Sequence, residues 1–219
     1  MGCWSRRPGH FVWEQRSGGG VGGIRAPAFA YREVLYGSAL AFGMSGDSSH
    51  AEALADEMEK GFPEDSSVRF SYVPTIRAVL ALNRAETRRA AELLQAAAPH
   101  ELGIPLSAVS GLFGALYPVY VRGQAYLAAN KATEAAAEFR KILDHRGIIV
   151  SDPIAALSHL QLGKAYALAG DKAKARSAYQ DFFTLWRDAD RDIPVLNEAE
   201  GEYAKLVPPP GPGPNSLLR

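Results

Sequence analysis

Two arginines stand at matching places in this sequence, and their type and spacing could hold an anionic group. Arg77 and Arg122 each come five residues after a tyrosine, Tyr72 and Tyr117, and directly before a small residue. A guanidinium group binds a carboxylate through two parallel hydrogen bonds, so arginines on neighbouring helices could grip one anion. We favour a plainer interpretation, in which each arginine pairs with a nearby Asp or Glu or lays its stem over the core.

No other arrangement of residues points to chemistry, and we expect the protein not to be an enzyme. The sequence contains no G-x-S-x-G, H-E-x-x-H, C-x-x-C or Walker motif. The single cysteine, Cys3, excludes an internal disulfide and a cysteine-based zinc site, and the five histidines show no ligand-like spacing. We therefore expect no metal and no cofactor. His145 is interpreted as structural because the sequence shows no partner for a general base.

Charge and hydropathy limit the kinds of partner. Lys+Arg and Asp+Glu both number 24, so the balance gives no argument for nucleic acid. The uncharged run 102–121 is long enough to test as a membrane span, but its prolines, glycines and serines favour a loop and a helix start. No secretory signal is visible, so we expect a cytoplasmic protein with no membrane span.

A pattern that occurs twice organises the region 117–182. Its positions recur at a constant offset of forty residues: Gly123, Tyr126, Ala135, Phe139 and Ile142, then Gly163, Tyr166, Ala175, Tyr179 and Phe182. A constant offset indicates an internal repeat, and the spacing within each copy predicts two helices joined by a tight turn. We expect the small residues to mark close helix crossings, with Gly123 facing Ala135 and Gly163 facing Ala175.

Two weaker copies precede these. The first has Ala39, Phe42, Ala51, Ala55 and Met58 at the pattern positions, and the second has Ala78, Ala81, Ala90, Leu94 and Ala97. They lie 39 residues apart, and the second lies 45 residues before the Gly123 copy. The second copy lacks the aromatic residues, so its assignment depends mainly on spacing.

The motif G-x-x-Y, a turn, then A-x-x-x-[FY]-x-x-hydrophobic resembles the tetratricopeptide repeat (TPR), whose usual period is about 34 residues. The extra residues here fall in the connection 144–153. The resemblance implies an all-α, right-handed solenoid of about four helix pairs, closed by a C-terminal capping helix. The stretch 69–206, which includes A-A-A-P at 96–99, Y-P-V-Y-V-R-G at 117–123 and I-L-D-H-R-G at 142–147, also resembles a narrower group. These are the TPR-bearing C-terminal regions of certain bacterial serine/threonine kinases and related signalling proteins, although no kinase motif occurs here.

We divide the chain into three parts on composition and periodicity. Residues 1–26, rich in glycine and arginine, predict a disordered leader. Residues 27–206 predict the repeat domain, with a short extra helix at 105–113 and a final amphipathic helix at 193–206. Residues 207–219, rich in proline and glycine, predict a disordered tail.

The expected function is a non-catalytic module that binds a protein or peptide segment, as a scaffold or sensor in bacterial signalling. Two alternatives stay open: an accessory region of a larger kinase or regulator, and a self-associating structural module. The expected binding groove is the concave face of the first helices, with these residues: Tyr36, Leu40, Thr75, Arg77, Val79, Tyr120, Arg122, Gln124, Leu160 and Lys164. If both arginines reach it, the groove should prefer an acidic ligand.

Overall fold

The described chain is helical from residue 28 onward, as predicted for an all-α repeat region. The computed structural model describes residues 5–7, 10–12, 28–103, 116–149 and 152–206. Its α-helices follow in this order: α1 (Ala28–Met44), α2 (Ser48–Gly61), α3 (Val73–Asn83), α4 (Thr87–Leu93), α5 (Tyr117–Ala128), α6 (Ala132–Asp144), α7 (Arg146–Ile149), α8 (Ile154–Leu168), α9 (Lys172–Leu185) and α10 (Pro194–Leu206). A π-helical turn, Val68–Tyr72, leads into α3, and a 3₁₀ turn, Leu94–Ala96, follows α4.

Six residues of the predicted leader are also described. They form two strands, β1 (Ser5–Arg7) and β2 (His10–Val12), which pair in an antiparallel register. The rest of 1–26, the predicted helix at 105–113 and the tail 207–219 lie outside the described residues.

The helices pack in chain order as four pairs. The pairs are α1 with α2, α3 with α4, α5 with α6, and α8 with α9. The first helix of each pair also contacts the first helix of the next, α1 with α3, α3 with α5 and α5 with α8. The final helix α10 packs on α9 and buries Leu196 and Ala199, the face predicted from its periodicity. The short helix α7 occupies the connection that lengthens the repeat.

The same turn joins the two helices of every pair. Each turn contains one residue with positive φ, and these residues are Gly46, Ala85, Asn130 and Gly170. Their separations are 39, 45 and 40 residues, the offsets of the sequence pattern. In each turn the next residue donates its backbone N–H to the carbonyl five positions back, at 2.8 or 2.9 Å. This is the longer bond of the Schellman motif, so the four pairs end their first helices in one way.

The first residue after two of these turns caps the second helix. The Asp47 carboxylate accepts from the His50 backbone N–H at 3.2 Å, and Asp171 accepts from that of Lys174 at 3.1 Å. The backbone bond from His50 is the main cause that lowers the pKa of Asp47. For Asp171 the Lys174 side chain is the main cause of a lowered pKa, followed by its backbone N–H. Side-chain capping therefore supports α2 and α9.

Gly123 and Gly163 make room for buried aromatic rings. A Cβ added at Gly123 would lie 2.7 Å from Phe139 ring atoms, and one at Gly163 would lie 2.8 Å from Tyr179 ring atoms. The three atoms nearest to each added Cβ are ring atoms, so the tightest contact of each glycine is with a ring and not with Ala135 or Ala175. Those alanines are buried, but a ring one turn further along the second helix reaches the crossing before a methyl group does.

The apolar interior divides into two clusters. The larger one begins in α1 and extends to the last pair, where it includes Leu162 and Ala165 of α8 and Ala178 of α9. The smaller one joins the last pair to α10 and contains Leu160, Tyr179, Phe182, Leu196 and Ala199. No helix among the described residues is both long and apolar enough to cross a membrane. Most of the uncharged run 102–121 lies in the undescribed residues 104–115.

Candidate functional site

Most residues of the predicted concave groove are buried between neighbouring helices. Seven of the ten are less than 9% exposed: Tyr36, Leu40, Thr75, Val79, Tyr120, Arg122 and Leu160. Only Arg77, Gln124 and Lys164 keep partial exposure. The reason is that successive first helices pack on one another, so the face assigned to the ligand contacts the next pair. The described structure therefore leaves little of this predicted face open to a ligand.

Aromatic and acidic side chains fill this buried face. The rings of Tyr36 and Tyr72 stack with centroids 4.0 Å apart, and the Tyr72 hydroxyl donates to the Glu33 carboxylate at 2.8 and 2.9 Å. Tyr117, which occupies the position of Tyr72 in the next pair, donates to Asp152 at 3.2 Å. Burial, then the neighbouring carboxylate, raises the pKa of both Tyr72 and Tyr117. These tyrosines are neutral donors that hold successive pairs together.

Sequence reasoning missed Glu33, which is 1% exposed. One signal was present, since Glu33 occupies in the first pair the position that Tyr72 occupies in the second, 39 residues later. An acid and a phenol at equivalent positions of adjacent repeats can meet across the interface between them.

Arg122 belongs to a buried charge network. Its guanidinium donates to Glu101 at 2.8 Å and to Glu138 at 2.6 Å, and Lys141 bonds the other oxygen of Glu101 at 2.7 Å. The Arg122 and Glu101 side chains are 4% and 5% exposed. Two cations therefore balance two anions, and Arg122 has its partners inside the protein. The network holds the connection that follows α4, which carries Glu101, against helices α5 and α6.

Arg77 has a different environment from Arg122, despite the matching sequence context. It bonds Glu59 at 2.8 Å and Asp56 at 3.4 Å, and its side chain is 41% exposed. Each arginine therefore has its own carboxylates, which confirms the plainer interpretation over a shared anion. The carboxylates that Arg77 contacts are themselves about half exposed, so these ion pairs are weak.

Arg77 lines an open cleft between α2, α3 and α4, which we call the Phe62 cleft. Its volume is about 490 Å³. The apolar part is formed by Phe62, Val73 and Leu93, and the charged rim includes Glu59, Arg69 and Arg77. Arg69 is 54% exposed, and its ion pair with the fully solvated Glu64 is 4.0 Å long. Its guanidinium lies 5.4 Å from the centre of the Phe70 ring.

The cleft has the composition of a peptide-binding surface. Apolar side chains offer area to bury, and two partly exposed arginines offer forked donors to carboxylates or carbonyl oxygens. Its size falls within the range of roughly 300–1,000 Å³ usual for ligand sites. Sequence reasoning named Arg77 but missed the rest, because these residues come from a helix end, a connection and two further helices.

His159 is the buried histidine of the described chain, at 7% exposure. Its Nε2 accepts from the Arg146 guanidinium at 3.2 Å, and Asp181 lies 3.7 Å from Nδ1. Burial is the main cause that lowers its pKa. The predicted structural role of His145 agrees with its Nδ1 contact to the Lys141 carbonyl at 2.8 Å. Within the described ranges, no group of His, Cys, Asp and Glu is arranged to hold a metal.

Two comparisons with known proteins found no match. No model of a known protein family matches the chain, and no curated protein is significantly similar to it. Arguments about function therefore depend on the packing and the cleft described above.

Proposed function

We propose that this protein is a non-catalytic, TPR-like helical repeat that binds an extended segment of a partner protein in the Phe62 cleft. The main observation behind this proposal is an open apolar cleft with two partly exposed arginines at its rim. A right-handed solenoid is the arrangement that fits four stacked pairs with identical turns. A scaffold or sensor in bacterial signalling is the corresponding biological role.

The cleft favours a ligand segment with an apolar side chain next to a carboxylate. The apolar residue would pack on Phe62 and Leu93, which keep partial exposure, and the carboxylate would bind Arg77. Exposed ion pairs are worth only about 0–1 kcal/mol, so Arg77 can exchange Glu59 for a ligand carboxylate at little cost. The sequence predicted that the concave face prefers an acidic ligand. We now assign this preference to the Phe62 cleft.

Selection of a phage-displayed random peptide library on the full chain tests the proposal. Enriched peptides should combine an apolar residue with a neighbouring Asp or Glu. Arg77→Ala should weaken a selected peptide by up to about fivefold, since an ion pair of a partly exposed arginine is worth about 0–1 kcal/mol. Arg84→Ala is the matched control, because Arg84 is 53% exposed and bonds Glu52 at 3.1 Å but does not line the cleft.

Two results would count against this function. One is a library that yields no enriched peptide on the folded protein. The other is a selected peptide whose affinity changes equally in Arg77→Ala and Arg84→Ala, because the cleft would then not be its site.

One observation favours self-association as a second candidate function. The outer face of α1 exposes Tyr31 at 48%, Val34 at 54% and Phe42 at 38%, and α1 stands at the start of the stack. Large apolar side chains grouped on one face often mark an interface. Light scattering over a range of concentrations should then show a dimer that Val34→Glu disrupts. Leu185→Glu, at an equally exposed site on α9, should leave the dimer intact.

A further inference from the structure

A second cleft lies at the other end of the stack, between the end of α9 and α10. We call it the Trp186 cleft. Its volume is about 470 Å³, and its aromatic walls are Phe183, Trp186 and Tyr203. Leu196 and Asn197 of α10 also line it, and its charged residues are Arg187, Arg191 and Glu200. It shares no residue with the Phe62 cleft.

The aromatic rings form a rigid platform. The Phe183 and Tyr203 rings meet edge to face with centroids 5.6 Å apart, and Trp186 packs on Phe182 at 4.9 Å. Gln180 donates to the Tyr203 hydroxyl at 2.9 Å, which fixes one wall. Among the described residues, the Trp186 indole N–H has no hydrogen-bond partner. An unpaired indole donor that shares a cleft with two further aromatic rings and an asparagine offers the apolar faces and donors that recognise a polyproline II helix.

A proline-rich segment of the same chain begins two residues after α10. Residues 208–214 read Pro-Pro-Pro-Gly-Pro-Gly-Pro and carry no charge. Such a sequence favours polyproline II, presents its carbonyl oxygens to donors and loses little entropy on binding. The uncharged segment also suits a cleft whose walls are mainly aromatic.

The path from α10 to the cleft is short enough. Helix α10 runs antiparallel to α9, because Leu206 contacts Arg176 at the start of α9 while Tyr203 contacts Phe183 near its end. The rise of a helix places Leu206 about 15 Å from Leu196 along the axis. Seven residues of polyproline II span about 22 Å, so the segment can turn back after Leu206 and cover the whole cleft.

We propose that the segment 208–214 binds in the Trp186 cleft of its own chain as a polyproline II helix. The tether raises its effective concentration to the order of millimolar, so even an intrinsic Kd of about 0.1 mM would leave the cleft about 90% occupied. A proline-rich segment of another protein would have to displace it. In this arrangement a segment of the same chain occupies the Trp186 cleft, which is separate from the Phe62 cleft that we propose as the binding site for a partner protein.

Tryptophan fluorescence tests this proposal directly. The full chain with Trp4→Phe and Trp13→Phe leaves Trp186 as its only tryptophan. Replacing the five prolines of 208–214 with glycine in that background should raise the acrylamide quenching constant of Trp186 about twofold or more, because a mostly filled cleft becomes empty. Asn215→Gly with Ser216→Gly is the matched control, which alters the tail outside the segment and should leave quenching unchanged.

A synthetic peptide of residues 207–215 provides the reverse measurement. It should protect Trp186 in the proline-free chain and have little effect on the chain that retains its prolines. Tyr203→Leu in the latter chain should raise quenching, since it removes one wall of the cleft, while circular dichroism confirms retained helix. Equal quenching with and without the prolines overturns the proposal. Protection that grows with protein concentration also overturns it, because the occupant would then be a second copy.

Discussion

The close approach at Gly163 predicts that a single methyl group destabilises the protein. An alanine in a helix interior is normally more stable than glycine by about 0.5–1 kcal/mol. At Gly163 the added Cβ would lie 2.8 Å from two ring carbons of Tyr179. That ring is 1% exposed, and its hydroxyl bonds Glu202 at 2.8 Å, so it has no free direction in which to move.

Overpacking of this kind costs about 1–3 kcal/mol, and it outweighs the propensity gain. We expect Gly163→Ala to lower the free energy of unfolding by about 1–2 kcal/mol, which corresponds to a fall in Tm of about 2–8 °C. Urea denaturation followed by far-UV circular dichroism measures the change. Gly201→Ala is the matched control, because Gly201 lies within α10 with no heavy atom within 4 Å of its added Cβ. It should stabilise by about 0.5–1 kcal/mol.

A double-mutant cycle separates crowding from any general effect of the methyl group. In a Tyr179→Leu background the ring is gone, so Gly163→Ala should become neutral or stabilising. The reasoning is refuted if Gly163→Ala stabilises the protein as Gly201→Ala does, or if its cost is unchanged when Tyr179 is leucine.

Three further predictions concern the turns and the charges. Ala85→Gly should raise the free energy of unfolding by about 1 kcal/mol, because a φ of 60° costs a residue with a Cβ roughly 1 kcal/mol. Chemical denaturation measures this gain, and an unchanged free energy of unfolding would contradict the idea that the turn is strained. Arg122→Met should cost about 3–5 kcal/mol, because it leaves buried carboxylates unpaired. Arg77→Ala should cost about 0–1 kcal/mol because its pairs are exposed, and similar losses for the two would contradict the burial difference. The pKa values of Asp47 and Asp171 are lower in the folded protein than the value of about 3.9 expected in the unfolded chain. Both carboxylates therefore stabilise the fold at a pH above about 3.9, and this stabilisation is lost as the pH falls from that value to below their folded pKa values. Asp47→Asn with Asp171→Asn should therefore reduce the dependence of Tm on pH in that window, whereas an unchanged slope would show that other carboxylates cause it.

The sequence was sufficient to predict the pairs, because their signals are local. Small residues and rings recur at fixed offsets, and Asn130 and Gly170 are residue types that favour the positive φ they have in the structure. Ala85 occupies the same turn without a residue that favours it, so only the spacing indicated it.

The location of the binding surface could not be predicted in the same way. Whether a helix face is open depends on how far neighbouring pairs approach, and here Tyr36 and Tyr72 close the predicted groove by stacking. Arg77 and Arg122 have similar sequence neighbours, but Glu101 from the connection after α4 bonds Arg122 and not Arg77. Contacts between distant residues decide which arginine stays available to a ligand.

The division of the interior into two clusters has a consequence for cooperativity. In a linear array each unit is stabilised mainly by its neighbours, so segments can open with different free energies. The last pair contributes to both clusters, whereas Leu196 and Ala199 of α10 belong only to the smaller one. We therefore expect α10 and the part of α9 that it covers to open at a lower free energy than the rest. Any segment held in the Trp186 cleft would then slow amide exchange in α9 and α10 first, and one global free energy of unfolding would average over two unequal units.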